Sequence, residues 1–234
     1  MLQKLSVNIF NQSSEDMSQV ADASVDFVFF APPYNIGTTY GKNQDKVQTQ
    51  QWFDVMQKVL TESVRVLKPR GVILIEAADT LLWKGRAIQL ADYLQAELVK
   101  QGLHVDGRHM NFGHSKDGVV LPDHDWSAQY QTTHNAHSNL HQYVLLSKTK
   151  KPLQLGKVFY HNYVPTNMHP CPTPKALLTQ ICGKLLKPKT VVLEPFMGTG
   201  ALGELALEAG CVYYGYELDA KIGAYTKKRL RRLV

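Results

Sequence analysis

Apolar residues follow two patterns along this chain: short continuous runs, and positions three or four residues apart. The runs at Val25–Phe30, 72–76 and 191–193 are typical of buried parallel strands. The spaced pattern predicts amphipathic helices over 51–67 and 83–101, each followed by glycine or proline stop signals. Further strands are predicted at 5–10, 103–112, 143–146 and 212–216, and further helices at 13–20, from 175 onward, and at 201–209.

The alternation of strands and helices predicts an α/β protein with a doubly wound, mostly parallel sheet. The pattern breaks down between 113 and 139, which is polar and has no clean periodicity. We therefore expect one domain in two halves, 1–112 and 141–234, separated by a small insert at 113–140. The polar stretch 38–50 is expected to be either a mobile surface loop or a loop that closes over substrate.

Composition narrows the class of protein. The 234 residues are 44% hydrophobic, enough for a substantial core, and the net charge of +6 suits a polyanionic partner without requiring one. The three cysteines lack CxxC spacing, so a reducing, cytoplasmic setting is expected. No apolar run approaches the roughly 18 residues that span a bilayer, so no membrane contact is expected. Seven of the nine histidines lie from His104 to His141, but without metal-ligand spacing, and no metal site is predicted.

The first candidate loop is Ala31-Pro32-Pro33-Tyr34, which follows the apolar run Val25–Phe30 directly. Prolines cannot continue a hydrogen-bonded ladder, and each pushes the preceding residue into extended geometry. The sequence therefore predicts a stiff loop that presents Tyr34 and backbone carbonyls at the carboxyl end of a strand. Ligands bind at such ends in open α/β sheets.

The second candidate loop runs from Glu194 to Gly200, between a strand and a helix, and contains Pro195, Phe196, Gly198 and Thr199. A Gly-x-Gly turn in this position lets the backbone approach a nucleotide closely. Glu217 follows Gly198 by 19 residues, at the end of the next strand, where an acidic residue binds ribose hydroxyls in dinucleotide-type folds. Gly203 gives a third glycine, so the spacing leaves NAD(P) open. The absence of basic residues from 194 to 209 favours a cationic sulfonium over a pyrophosphate.

Together the two loops resemble those of the amino-group DNA methyltransferases that use S-adenosylmethionine. The family tetrapeptide Asp/Asn/Ser-Pro-Pro-Tyr corresponds to Ala31-Pro32-Pro33-Tyr34, and the family Phe-x-Gly-x-Gly loop matches 196–200. The catalytic loop precedes the cofactor loop here, which resembles the circularly permuted β group of that family. The resemblance extends over nearly the whole chain, including the helix end at 66–69 and a His-Pro-x-Pro segment that begins at His169.

This resemblance implies a Rossmann-like methyltransferase fold, with 113–140 as a target-recognition insert. It also implies methyl transfer to an exocyclic amine of a base flipped out of double-stranded DNA. Residue 31 and the Pro32 carbonyl would bind the amine hydrogens, and Tyr34 would stack on the base. The catalytic residues implied are Ala31, Pro32, Pro33 and Tyr34. The cofactor residues implied are Ser13, Ala31, His169, Pro170, Glu194, Pro195, Phe196, Gly198, Thr199, Gly200 and Glu217.

The sequence departs from the family pattern at its catalytic position, because Ala31 carries no hydrogen-bond acceptor. Loss of one such transition-state contact costs about 10²–10³ in rate in other enzymes. Three explanations stay open at this point: an inactivated variant, a weak or DNA-binding-only relative, and an acceptor supplied by a neighbouring residue or water. Glu194 and Ser13 also stand where family members often carry aspartate.

The target base also stays open between adenine N6 and cytosine N4. Ala31 is nearer in size to the serine of cytosine enzymes, whereas adenine enzymes are the commoner permuted type. A NAD(P)-dependent oxidoreductase is an alternative that uses the same glycine-rich turn, but it gives no reason for the prolines and tyrosine at 32–34. The chain is expected to act as a monomer or homodimer.

Overall fold

The computed structural model describes residues 6–83, 86–112, 136–137, 140–149, 158–160, 166–170 and 172–234. The strands are β1 (Val7–Phe10), β2 (Val25–Phe30), β3 (Thr39–Tyr40), β4 (Asn43–Gln44), β5 (Leu67–Ala78), β6 (Leu81–Trp83), β7 (Arg86–Ile88), β8 (His104–Phe112), β9 (Ala136–His137), β10 (Leu140–Ser147), β11 (Val158–Tyr160), β12 (Val191–Glu194) and β13 (Val212–Tyr216). The helices are α1 (Thr49–Val66), α2 (Leu90–Lys100), α3 (Lys175–Cys182), α4 (Ala201–Glu208) and α5 (Ala220–Leu230), with a 3₁₀ turn at Arg231–Leu233.

The main sheet has the strand order β1-β13-β12-β2-β5-β10-β8-β11. All neighbouring pairs are parallel except those of β10, which runs antiparallel to β5 and β8. The chain leaves β2 towards β5 on one side and leaves β12 towards β13 on the other. The adjacent carboxyl ends of β2 and β12 therefore form the switch point of the sheet, where such folds bind ligands.

Two apolar layers cover the two faces of this sheet. Residues of α1 and α2 pack on one face, with Trp52, Leu60 and Leu94 among the buried side chains. Residues of α3 and α4 pack on the other face, with Leu178 and Leu202 fully buried. The central strands of the sheet are thus covered on both sides, which explains why β2, β12 and the 72–78 part of β5 are mostly apolar.

Two predictions of local structure are wrong. Residues 11–24 form turns rather than a helix, because the Ser13 hydroxyl and the Asp16 carboxylate accept hydrogen bonds from backbone amides two residues ahead. The helix predicted from 83 begins only at Leu90, since β6 and β7 form a hairpin first. In addition, strand β11 lies where no strand was predicted.

The predicted α/β class and the doubly wound, mostly parallel sheet are confirmed. Strands from both predicted halves share this sheet, since β12 pairs with β2 and β10 pairs with β5. The predicted insert, 113–140, lies mostly outside the described residues and stays a prediction. Within the described part of the chain, no helix is long and apolar enough to cross a membrane, and no cluster of three metal-ligating side chains occurs.

Candidate functional site

A cavity of about 830 Å³ opens at the switch point between β2 and β12. Both candidate loops contribute to its wall, together with the hairpin β3–β4, helix α1 and the segment before α3. Of the predicted site residues, those that line it are Ser13, Ala31, Pro32, Pro33, Tyr34, His169, Pro170, Glu194, Pro195, Phe196, Gly198, Thr199 and Glu217. Gly200 does not line the cavity; it occupies the position just before α4.

Two tryptophans hold the backbone of the Ala31–Tyr34 loop, called here the proline loop. The indole of Trp52 donates to the Pro33 carbonyl at 2.9 Å, and that of Trp83 donates to the Tyr34 carbonyl at 3.0 Å. The indoles pack edge to face, 5.1 Å apart, in the core beneath the loop. The loop is thus fixed by directional bonds as well as by its prolines, which suits a loop that must present a carbonyl accurately.

Side chains from three elements meet beside this loop. The Tyr34 hydroxyl lies 3.3 Å from Nδ1 of His141 on β10. The same ring nitrogen lies 3.7 Å from a carboxylate oxygen of Glu76, at the end of β5, and the Thr173 hydroxyl donates to the other oxygen at 3.3 Å. Glu76 lines the cavity and is only 3% exposed.

The hairpin β3–β4 lies over the other side of the cavity and is attached at both ends. At its base, the buried Asn35 side chain accepts from the Val47 amide and donates to the Val47 carbonyl. At its tip, the Lys42 amide donates to the Asp219 carboxylate at 2.8 Å, and Asp219 also caps α5 through two backbone amides. This position favours the interpretation of 38–50 as a loop over substrate; its closure stays a prediction.

The 194–200 loop is built by hydrogen bonds from its backbone amides. Met197 donates to the Tyr216 carbonyl at 2.9 Å, and Gly198 donates to the Glu217 carboxylate at 3.1 Å. Gly198 has φ +48°, a conformation that favours glycine, and a Cβ there would lie 2.8 Å from Nε2 of His169, so the imidazole would have to move. Gly200, with φ +73°, would likewise bring a Cβ within 2.6 Å of Thr226.

A basic side chain near the end of the chain contacts the 194–200 loop. Arg229 on α5 donates to the Thr199 carbonyl at 2.7 Å and forms an ion pair with Glu204. It therefore supports the cofactor loop from behind.

The floor of the cavity is acidic. The Tyr213 hydroxyl donates to Glu194 at 2.5 Å, yet burial and the charges of Glu76 and Glu217 raise the pKa of Glu194 to about 8. Burial also raises the pKa of Glu217, although its carboxylate accepts from the amides of Asp219 and Gly198. The concentration of carboxyl groups disfavours full ionisation, and it favours a cationic ligand.

Several site residues were not identified from the sequence. Glu76 had a detectable signal, because it is a lone charge in the apolar run of β5, at the sheet edge where ligands bind. Tyr213 and His141 had none, since each contact depends on the pairing of strands distant in sequence. Trp52 was predicted only as a helix core residue.

The fold and the two loops define an α/β enzyme of the kind that holds a nucleoside-containing cofactor at a switch point. A family model described as DNA methylase matches residues 25–228. The chain therefore belongs to the DNA methylase family, and it is an S-adenosylmethionine-dependent DNA amino-methyltransferase. The predicted family, function and cofactor are confirmed, and the oxidoreductase alternative is not favoured.

Individual relatives agree with this family. The chain is 24% identical over 251 residues to the DNA adenine methyltransferase YhdJ of Escherichia coli K12, covering 96% of this chain and 81% of that protein. It is 21% identical to the type II methyltransferase M.HpaI of Haemophilus parainfluenzae, over 95% of this chain and 73% of that protein.

Solved structures show the same fold at lower identity. TTHA0409 of Thermus thermophilus, solved in complex with S-adenosyl-L-methionine, superposes with a TM-score of 0.70 at 19% identity, over 97% of this chain and 96% of that one. The cytosine-N4-specific PvuII DNA methyltransferase gives a TM-score of 0.70 at 14% identity, over 98% and 92% of the two chains.

Proposed function

We propose that the cavity at the switch point binds S-adenosylmethionine against the 194–200 loop and receives the target base at the Ala31–Tyr34 loop. The observation that carries this proposal is that both loops, far apart in sequence, line one cavity. Methyl transfer requires the sulfonium methyl group and the amine nitrogen to approach in line. A single cavity with a loop on each of two neighbouring strand ends supports that geometry.

The acidic floor supports a sulfonium cofactor. Glu194 and Glu217 lie on the side of the 194–200 loop, and burial together with neighbouring carboxylates raises the pKa of each. The ammonium and sulfonium groups of the cofactor supply positive charge there. The Glu217 carboxylate already accepts two backbone amides, but its oxygens have about four acceptor positions, so it can also bind ribose hydroxyls.

The other predicted cofactor residues have distinct places in this arrangement. Ser13 and Phe196 line the cavity and are assigned to the adenosine end. His169 packs over Gly198 and contacts the Tyr40 ring at a centroid distance of 5.2 Å, so it and Pro170 are assigned to the side of the cavity beneath the hairpin. Gly200 is assigned a backbone role, because it allows the turn into α4.

The proline loop is assigned to the base. The carbonyls of Pro33 and Tyr34 accept hydrogen bonds from tryptophans, which holds the backbone directly after the Pro32 carbonyl. That carbonyl accepts one amine hydrogen, and the ring of Tyr34 stacks on the base. Since an exocyclic amine lies inside the duplex, the nucleotide must leave the stack of double-stranded DNA to reach this loop.

The remaining assignments are part of the same proposal. The order of the two loops places the chain in the permuted β group, with 113–140 as the segment that reads the target sequence. The enzyme acts as a monomer or homodimer in the cytoplasm, where DNA and cofactor meet.

Two measurements test this function. Calorimetry should detect binding of S-adenosylmethionine and not of NAD, and nucleoside mass spectrometry should detect N6-methyladenine or N4-methylcytosine in DNA incubated with protein and cofactor. Gly198→Ala is the matched variant, since it should lose cofactor binding and product together. Binding of NAD, or methylation of RNA or protein but not DNA, would contradict the proposal.

A further inference from the structure

Glu76 and Ala31 occupy neighbouring positions on adjacent strands. The register of β2 and β5 pairs Phe29 with Leu74 and Phe30 with Ile75, so the next two residues along these parallel strands are Ala31 and Glu76. Both line the cavity. Neighbouring strands lie about 4.8 Å apart, so the longer glutamate side chain can reach the space that a polar side chain at position 31 would fill.

The two side chains also share one face of the sheet. Successive residues of a strand point to opposite faces. Phe27 and Phe29 of β2 and Leu74 of β5 belong to the apolar layer against α3 and α4, and Ala31 packs against the same layer. By alternation Glu76 follows Leu74 onto this face, and its partner across β10 is Tyr143, which belongs to that layer as well.

Neighbouring polar groups orient the Glu76 carboxylate. The Thr173 hydroxyl donates to one oxygen, and His141 Nδ1 lies near the other. His141 in turn lies within hydrogen-bonding distance of the Tyr34 hydroxyl. The carboxylate is thus connected, through one imidazole, to the tyrosine assigned to the target base. Burying a carboxylate in this way is costly and is typical of functional sites.

We propose that the Glu76 carboxylate is the catalytic acceptor that position 31 lacks. This rests on the proposed function and deepens it. The carboxylate accepts one hydrogen of the exocyclic amine while the Pro32 carbonyl accepts the other. The nitrogen lone pair then forms a bond to the methyl carbon, the carbon–sulfur bond breaks with its electron pair left on sulfur, and the displaced amine proton passes to Glu76 and on to solvent.

This arrangement accounts for alanine at position 31. The charge of Glu76 already raises the pKa of Glu194 in the same cavity. An aspartate at 31 would add another carboxylate next to both, and like charges this close cannot all ionise readily. A small apolar residue leaves room for the glutamate and avoids that repulsion.

The test is an exchange of the acceptor between the two strands. The variants are Glu76→Ala, Glu76→Gln, Ala31→Asp and the double variant Ala31→Asp with Glu76→Ala. Asp79→Asn is the control, because Asp79 follows the same strand but does not line the cavity. Single-turnover methyl transfer to DNA is measured for each, with cofactor affinity by calorimetry to confirm an intact fold.

Glu76→Ala should lower the single-turnover rate by about 10²–10³ with cofactor affinity changed less than about threefold. Glu76→Gln keeps one acceptor oxygen and should lose less. The double variant should recover at least about tenfold over Glu76→Ala, because the carboxylate returns from the other strand.

Three outcomes overturn the proposal. If Glu76→Ala methylates DNA as fast as the unsubstituted protein, the acceptor lies elsewhere while the proposed function stands. If the unsubstituted protein is inactive and Ala31→Asp is active, the site and reaction are as proposed but Glu76 does not serve it. If neither the unsubstituted protein nor any variant methylates DNA, although all of them bind S-adenosylmethionine, the proposed function fails as well.

Discussion

Replacing Glu194 by glutamine should stabilise the cofactor-free protein while it weakens cofactor binding. The pKa of Glu194 is raised from 4.5 to about 8, chiefly by burial. A raised pKa means that the folded state holds more protons than the unfolded chain between these values, so stability falls as pH rises from about 4.5 to 8. At pH 7 the Glu194 carboxyl therefore lowers the free energy of unfolding by roughly 3 kcal/mol relative to low pH, at 1.36 kcal/mol per pH unit.

Glutamine avoids this cost and keeps an oxygen that can accept from the Tyr213 hydroxyl. Urea unfolding should therefore show Glu194→Gln more stable than the unsubstituted protein by about 3–4 kcal/mol at pH 8 and by less than about 1 kcal/mol at pH 5. Asp54→Asn, an exposed change on α1, is the control and should stay within about 0.5 kcal/mol at both pH values. A gain or loss that is the same at pH 5 and pH 8 would refute the reasoning.

Three further predictions follow from the site. Calorimetry at pH 7 in buffers of different ionisation enthalpy should detect more proton release on binding of S-adenosylmethionine than of S-adenosylhomocysteine, because only the former carries the sulfonium charge that ionises Glu194. The Glu194→Gln variant should show no such difference. Equal proton release by the two ligands in the unsubstituted protein would contradict the assignment. Gly198→Ala should weaken cofactor binding at least about tenfold, because its Cβ would collide with His169. Gly210 is also at positive φ, but no atom lies closer than 3.5 Å to a Cβ there, so Gly210→Ala should lower stability and leave cofactor affinity unchanged. Equal cofactor affinities in the two variants would argue against a tight turn at the cofactor. Asp219→Ala should lower the free energy of unfolding by about 1 kcal/mol through loss of the α5 cap, and it should speed hydrogen exchange at the Lys42 amide. Asp219→Asn keeps a capping oxygen and should have neither effect. Identical hydrogen exchange in the two variants would show that Asp219 does not hold the hairpin.

Local sequence was enough to predict the strands that form the switch point. The apolar runs of β2, β5 and β12 carry their own signal because each is buried on both faces. The presence of the two loops was also predictable, because Pro32 and Pro33 restrict the backbone locally and Gly198 and Gly200 allow a tight turn. The structure places nearly all of the predicted site residues around one cavity.

The features of the site that could not be predicted from the sequence depend on contacts between distant segments. The position of Glu76 beside Ala31 follows from the register of β2 with β5, and no local pattern specifies a register. The turns at 11–24 show the converse, because the helix-capping residues Ser13 and Asp16 bind backbone amides in turns just as readily. The support of the 194–200 loop by Arg229 also required the fold, since helix spacing alone makes that residue look solvent-facing.

The central claim is that this chain methylates an exocyclic amine in DNA although position 31 carries no acceptor. The most direct measurement uses S-adenosylmethionine with an isotopically labelled methyl group, unmethylated duplex DNA and the unsubstituted protein, with nucleoside mass spectrometry as the readout. The account predicts label in N6-methyladenine or N4-methylcytosine, dependent on protein and cofactor. Cofactor binding without labelled nucleoside, under conditions where Ala31→Asp produces it, would contradict the account.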